Sequence, residues 1–456
     1  MKDKALSVFA LLRGFVSRGH HRSVKAKKNI ITSFIIKGAS IIIGLVLIPL
    51  TVGYVNPIQY GIWLTLSSIV GWFSYFDIGF GNGLRNKFAE SIAKKEYNTA
   101  RVYVSTTYAV ISVLAGIVIL IFLCINPFIN WPRVLNAPSG MAGELGHLAL
   151  IVFIFFCFQF ILQLITTVLT ANQEPAKASL FNLLGSIFSL VFIFILTKTT
   201  TGNLIYLGAV LAITPVLVLT ASSLWFYTHE YKIYAPSFKF IKLGYARNLM
   251  GLGINFFVIQ IAALILFQTD NIIITQLFSP KEVTTFNIAF RLFSVIIMAF
   301  SIIITPLWSA FTEAYTNKDF QWIKTTLLKL KKLCMLLALL TVFVLLMSPL
   351  IFKWWMGDKV KIPFSLSIAL SLYIIVCMWQ NIHVYFLNGI GKIRLQLYLV
   401  IISGIINIPI AIILGKWIGL PGITLSNVLV LAIMGIIFSV QVKKIVNNKA
   451  TGVWAK

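Results

Sequence analysis

The fold class predicted for this chain is an all-α integral membrane protein, with twelve transmembrane helices in two parallel six-helix lobes around a central cleft. Three observations predict it. Hydrophobic residues make up 59% of the 456 and charged residues only 11%, against about 25% charged in soluble domains. Apolar runs of about 20 residues recur from end to end, long enough at about 1.5 Å per residue to cross a hydrocarbon core of about 30 Å. Polar loops of the first half are also echoed in the second half at a constant spacing, which marks an internal repeat.

In chain order the first half supplies spans at 29–54, 58–82, 102–124, 146–170, 178–198 and 203–228. The second half supplies 249–277, 284–311, 331–352, 364–388, 396–415 and 420–442. Helices are expected because lipid cannot satisfy an open backbone, and the runs are about twice as long as barrel strands. Before the first span, residues 1–28 carry ALSVFALL followed by Arg13, Arg18 and Arg22. Arginines stand where a signal-cleavage site needs small residues, so this segment reads as a retained, interface-lying amphipathic helix. Residues 229–248 link an N-lobe (29–228) to a C-lobe (249–442), and 443–456 form a basic tail.

The net charge of +26 suggests nucleic acid only until its distribution is read. With both termini on one side, 29 of the 38 Lys and Arg fall in the termini and the even-to-odd loops, and 7 in the opposite loops. That asymmetry assigns the basic side to the cytoplasm and to anionic lipid, without a nucleic-acid partner. Cys124, Cys157, Cys334 and Cys377 stand singly in apolar runs, so neither a disulfide framework nor a metal site is expected.

A shift of 223 residues carries Pro57 to Pro280, Glu90 to Glu313, Lys95 to Lys318 and Trp131 to Trp354. Beyond the long outer loop the shift is 217, setting ANQEPAK against NGIGKIR and Lys177 against Arg394. Six spans per repeat make the two halves enter the membrane in the same direction. The repeat relates two such bundles about an axis along the membrane normal, and rocking them against each other exposes the cleft between them to one side at a time, the geometry of alternating access.

The stretch FDIGFGNGLRNKFAE, Phe76 to Glu90, imitates a phosphate loop. Such a loop needs a preceding strand and a G-x-G-x-x-G or Walker spacing, and GFGNG offers neither. It reads instead as the cytoplasmic end of span two, where Gly79, Gly81 and Gly83 permit close packing, Asn82 and Asn86 satisfy freed backbone groups, and Arg85 marks the surface. This end is the expected cytoplasmic gate. DIGFGNGLRNK, the following KKEYNTAR and the NGIGKIR loop together resemble the bacterial polysaccharide flippases of the multidrug, oligosaccharidyl-lipid and polysaccharide exporter superfamily, across nearly all the chain. The resemblance implies a transporter of the bacterial cytoplasmic membrane, without a cofactor. Its implied cargo is a polyprenyl-pyrophosphate-linked oligosaccharide moved from inner to outer leaflet for capsule, O-antigen or a related glycan, beside a polysaccharide polymerase or export machinery.

An ionisable residue inside a span costs about 2.5–3.5 kcal/mol and is a functional candidate. Four are present. Lys37 and Asp77 lie equally far from Pro57, near the cytoplasmic end of the first hairpin, while Asp270 and Arg291 are centred on the Pro280–Lys281 turn, near the midplane. Each acid therefore has a base at its own depth. Asn287, Arg291 and Ser294 are spaced four and three apart on one helical face. A guanidinium suits a pyrophosphate bidentately, and Lys37 supplies a second positive charge. The lipid-linked precursor branch of the superfamily is similar in lining its cleft with basic residues on spans one and eight. Asp270 is then a clamp on Arg291 or the site of a coupling cation, and Gln260, the repeat counterpart of Lys37, faces the cleft. In span ten, MWQNIH offers Trp379, Gln380, Asn381 and His383, whose plainer reading is helix packing.

Two other functions are weighed. A cation-coupled drug exporter of the same superfamily commonly has an acid in span one, where this chain has Lys37. A membrane glycosyltransferase or ligase needs paired carboxylates, but the longest outer segment carries only Arg133 and Glu144.

Overall fold

The computed structural model describes residues 21–73, 80–172, 174–247, 249 and 269–455, and every regular element among them is helical. In the first half these are α1 (His21–Tyr54), α2 (Pro57–Gly71), α3 (Phe80–Ala93), α4 (Tyr97–Ile125), α5 (Ala142–Leu162), α6 (Leu164–Ala171), α7 (Pro175–Thr199) and α8 (Leu204–Thr228). The second half has α9 (Asp270–Leu277), α10 (Pro280–Ile304), α11 (Leu307–Thr316), α12 (Phe320–Met356), α13 (Phe364–Gly389), α14 (Arg394–Ile418) and α15 (Leu420–Val446). Ten helical segments among the described residues are long and apolar enough to cross a membrane. The other two expected spans, 58–82 and 249–277, include residues outside the described set.

Several boundaries move for local reasons. Helix α1 runs unbroken from His21, so the last part of the expected N-terminal segment continues into the helix that carries the first span, Ile35–Tyr54. Helix α12 begins at Phe320, eleven residues before the expected span, because Ile323, Leu327, Leu330 and Cys334 bury one face at helical spacing while the lysines stay outside. The fourth expected span is two helices. The Gln163 carbonyl there takes both the Thr166 amide (2.9 Å) and the Thr166 hydroxyl (2.6 Å), which interrupts the regular ladder. The eighth breaks at Thr305–Pro306, where proline supplies no amide.

The loop repeat is also a repeat of backbone hydrogen bonds. At the end of α3, Lys94, Lys95 and Glu96 donate to the carbonyls of Glu90, Ile92 and Ser91. At the end of α11, Asn317, Lys318 and Asp319 donate to those of Glu313, Tyr315 and Ala314, each 223 residues on. Lys95 and Lys318 both hold left-handed backbone, at φ 60° and 56°. A left-handed lysine is uncommon, and its recurrence at the same step of the same helix cap marks one cap built twice. The helix starts repeat as well. Asn56 caps α2 by accepting from the Gln59 amide (2.9 Å), and Ser279 caps α10 by accepting from the Glu282 amide (3.4 Å).

Two details of the repeat are corrected. Past the outer loop, Glu174 donates to Leu169 and Lys392 to Leu387, while Tyr231 donates to Phe226 and Lys449 to Lys444. That register is 218, one more than the loop alignment, so Lys177 does not align with Arg394. Trp131 and Trp354 also differ in setting. Trp131 is buried and donates to the Asn126 side chain, while Trp354 projects from the end of α12 at 88% exposure.

The cores divide by half. Two clusters are built within the first half, around Phe88 and Ile165 and around Ile62 and Phe153, with Leu249 joining the former. A third, around Phe293 and Phe386, gathers the second half together with Ile48, Val52 and Tyr60 of the first. Helix α1 packs on α7, and α2 packs on α10, which brings the halves together beside the Pro57 and Pro280 turns. At the opposite, basic end, residues 229–247 are laced to the first half. There Tyr231 donates to Glu174 and receives from Asn172, while Arg101 donates to the Ala235 carbonyl and lies over the Phe240 ring. Exposed Glu90 is held down to about 2 by hydrogen bonds from Lys87 and Lys94.

Candidate functional site

Helix α1 presents Lys37, Ser40, Ile41 and Gly44 at spacings of three, four and seven, so they form one stripe. Helix α10 runs the other way and faces that stripe with Arg291 and Met298. Lys37, Ser40, Ile41, Arg291, Met298, Ser301 and Ile302 line a cavity of about 260 Å³ between the two helices. The guanidinium of Arg291 points its Nη2 at Gly44, where an added Cβ would come within 2.0 Å of it. Any side chain at 44 would have to displace that guanidinium. Lys37 lies two turns along α1 from Gly44, about 10 Å at 1.5 Å per residue, and is exposed, while Arg291 is half-buried. Neither base has a carboxylate within ion-pairing distance among the described residues. Among the described residues the stripe thus holds two cations without an acidic partner.

Asp270 stands elsewhere. At the start of α9 it accepts from Asn427 (2.7 Å), and Asn427 accepts from Asn407 (2.9 Å). It makes no ion pair with Arg291, which removes the clamp among the two readings of this acid. Asp270 Oδ1, Asn407 Oδ1 and Thr424 Oγ1 are all buried without a partner among the described residues. Asp270, Asn427 and Thr424 line a second cavity of about 280 Å³ with Asn271, Asn287, Phe290 and Tyr373. Buried orphan oxygens are rare in native proteins, and two of them on this cavity, one from the carboxylate itself and one from Thr424, form an acceptor-rich site that suits a proton or a hard cation.

Asn287 is corrected by the same geometry. It lines the Asp270 cavity and donates to Asn271 and to the Val283 carbonyl, so it does not share the Arg291 cavity. Four residues of helix turn a side chain by only about 40° but raise it by about 6 Å, so the two stand at different levels of α10 and line different cavities. Ser294 is buried and donates to the Arg291 carbonyl. In α13, Gln380 and His383 are buried, His383 bonds the Trp379 carbonyl, and the Trp379 ring sits on Gly435, so MWQNIH is a packing motif. Asp77, Gly79 and Gln260 lie outside the described residues, as does the side chain of Asn82. Gly81 stands in the first turn of α3, with Arg85 exposed after it.

Gly83 of that stretch is closely packed, since a Cβ there would sit 2.4 Å from the Leu249 carbonyl. It seats α3 against the start of the second half. Replacing Gly83 by Val is expected to lower export several-fold and reduce thermal stability, because overpacking a backbone contact costs about 1–3 kcal/mol. Unchanged glycan export and melting temperature would remove Gly83 from the gate.

A comparison with protein families matches residues 26–312 to the family described as polysaccharide biosynthesis protein. The chain belongs to that family. Residues 256–413 also match the MatE family, so the two descriptions overlap on the second half. Among curated relatives, a candidate O-antigen export protein of Yersinia pseudotuberculosis is 22% identical over 354 residues, covering 74% of this chain and 76% of its own. A candidate O-antigen transporter of Salmonella typhimurium is 23% identical over 388 residues, covering 82% and 86%. Among solved structures, an inward-facing multidrug resistance MATE transporter of the MOP superfamily superposes with a TM-score of 0.74 at 15% identity, covering 92% of this chain and 98% of that one. An outward-facing MATE transporter superposes with 0.64 at 16% identity, covering 93% and 96%. The fold of this family member is therefore MATE-like, and the relatives are transporters, not enzymes.

Within that fold, sequence reasoning found Lys37 and Arg291 as charges in lipid. It missed Gly44, Ser40 and Ser301. The signal for Gly44 was present as a glycine seven residues from Lys37, the same face two turns on, but nothing in the spacing said which helix it meets.

Proposed function

We propose that the chain flips a polyprenyl-pyrophosphate-linked oligosaccharide from the inner to the outer leaflet of the bacterial cytoplasmic membrane, for O-antigen, capsule or a related polysaccharide. The observation that carries this reading is Arg291 set against Gly44 beside a cavity shared with Lys37, two cations between α1 and α10 with no carboxylate paired to them among the described residues. A pyrophosphate offers the bidentate oxygens a guanidinium matches and the second charge a lysine meets. The cavity lies between the halves, so the polyprenyl tail stays in lipid while the sugar occupies the cleft. The likeness to O-antigen export proteins supports the cargo, and the closer likeness to an inward-facing transporter supports a loading state open to the basic end.

In this reading twelve spans form two parallel lobes, 29–228 and 249–442, with both termini and the basic loops in the cytoplasm beside anionic lipid. A polysaccharide polymerase or export machinery takes the flipped product. A drug exporter of the same fold would meet organic cations with a repelling pair.

Asp270 is the coupling site, its unpaired Oδ1 taking a proton or sodium ion whose arrival rearranges α9 and α10. Asp270→Asn is expected to abolish the response of flipping to an imposed sodium or proton gradient in proteoliposomes while leaving cargo binding intact. A variant still driven by either gradient would take Asp270 out of coupling.

A further inference from the structure

The contacts that join the two halves beside Pro57 and Pro280 come in pairs related by the internal repeat. Thr284 Oγ1 donates to the Pro57 carbonyl at 2.6 Å. Gly61 lies under the Pro280 carbonyl so closely that a Cβ would be 1.7 Å from the oxygen. The shift of 223 that carries Pro57 to Pro280 carries Gly61 to Thr284, so each contact is the image of the other. The turns cross about the axis relating the halves, and the crossing point needs glycine on one side.

The loop after the third span of each half repeats the pattern further out. Asn136, in left-handed backbone at φ 47°, donates to the carbonyls of Thr275 (2.8 Å) and Phe278 (3.3 Å), at the C-terminal end of α9. Gln276 answers by donating to the carbonyls of Val134 (2.6 Å) and Arg133 (3.2 Å). In the other half, Lys359 Nζ stands 2.7 Å from where a Cβ on Gly53 would be, at the C-terminal end of α1. Asn136 maps to Lys359, and Gln276 maps to Gly53, under the same shift. A helix C-terminus exposes unpaired carbonyls and the negative end of its dipole, so an amide and an ammonium are both suited to hold it. Beneath these grips Thr65 bonds Thr275 (2.6 Å), and Trp355 donates to the Leu45 carbonyl (2.8 Å).

We infer that these pairs form a two-fold clasp, in which the third-span loop of each half holds the C-terminal end of the opposite half's first helix and keeps the Pro57/Pro280 end shut. That this end is the outer one rests on the orientation proposed above. Asn136 and Lys359 are gate residues remote from the cargo cavity, and the grip of Lys359 is the charged one. Because the contacts surround one axis, they release together when the lobes rock.

The test uses a reporter cysteine beneath the clasp in a full-length chain whose four native cysteines are replaced. Ile48, buried in the core shared by both halves, is changed to Cys, and an impermeant thiol reagent is added to spheroplasts. Asn136→Ala with Lys359→Ala is expected to raise the labelling rate roughly tenfold over the parent, the single variants less, and Lys359→Arg is expected to stay at the parent rate. Gly61→Val, which obstructs the crossing at the Pro280 carbonyl, is expected to label as fast as the double variant. Each variant is first checked for monodisperse elution, so that unfolding is not read as opening. A double variant and Gly61→Val that both elute normally and label at the parent rate overturn the clasp. Labelling is read in cells without the glycan substrate, so its failure is separate from failure of the flippase reading.

Discussion

Arg291→Gln is expected to abolish glycan export while the protein remains inserted at normal abundance. Truncating one partner of a buried, hydrogen-bonded charge pair costs about 2–5 kcal/mol, or roughly thirty- to several-thousand-fold in occupancy of the bound state. Glutamine keeps the approximate reach and the polarity of arginine but loses the charge and the planar fork, so the loss reads the guanidinium itself. The measurement is a lipid extract from cells lacking this chain, complemented with wild type or with the variant and assayed for polyprenyl-pyrophosphate oligosaccharides in each leaflet. Accumulation in the inner leaflet cured only by wild type is the expected result. Normal export by the variant would remove Arg291 from the mechanism, and no accumulation in the deletion strain would favour the drug exporter. Arg291→Lys, retaining charge without the fork, should fall between, since lysine approaches phosphate as a point charge.

Gly44→Val should reproduce most of that loss without touching a charge. The Cβ of any larger residue at 44 would overlap Arg291 Nη2, which lies 2.0 Å from its position, and valine's branches fill the rest of the seat. Gly44→Val does not unfold the helix, because valine is a tolerable helix residue and improves on glycine in backbone entropy. Its cost falls on where the guanidinium can lie. Export should drop by roughly tenfold or more, on the scale of an off-rotamer side chain plus a lost charged hydrogen bond. Insertion and melting temperature should stay near wild type. Full export by Gly44→Val would mean that the Arg291 position over α1 is incidental, even with Arg291 itself essential.

These two residues show where sequence reading reached and where it stopped. Distance to the Pro280 turn assigns Asp270 and Arg291 to one level of the hairpin, which predicts a pairing. The pairing does not form, because depth leaves the direction around the helix axis open. Asp270 turns to Asn427 on α15, and Arg291 turns to Gly44 on α1. Asn287 and Arg291, one turn apart, were read as one polar stripe and line different cavities.

The sequence by itself determined the class of molecule, the helical spans and the two-fold repeat, because these follow from local rules. Lipid demands apolar runs of a fixed length, and a helix cap is made by the few residues that form it, so Lys95 and Lys318 take the same backbone turn wherever their helices go. Tertiary structure alone decided which basic residues share a cavity, which acid keeps an oxygen unpaired, and which glycines meet the other half. Gly44, Gly53 and Gly61 matter only because a side chain or carbonyl of the other half arrives against them. That arrival is set by how two bundles pack across more than two hundred residues of chain, a contact energy shared over whole helix faces and carried by no motif.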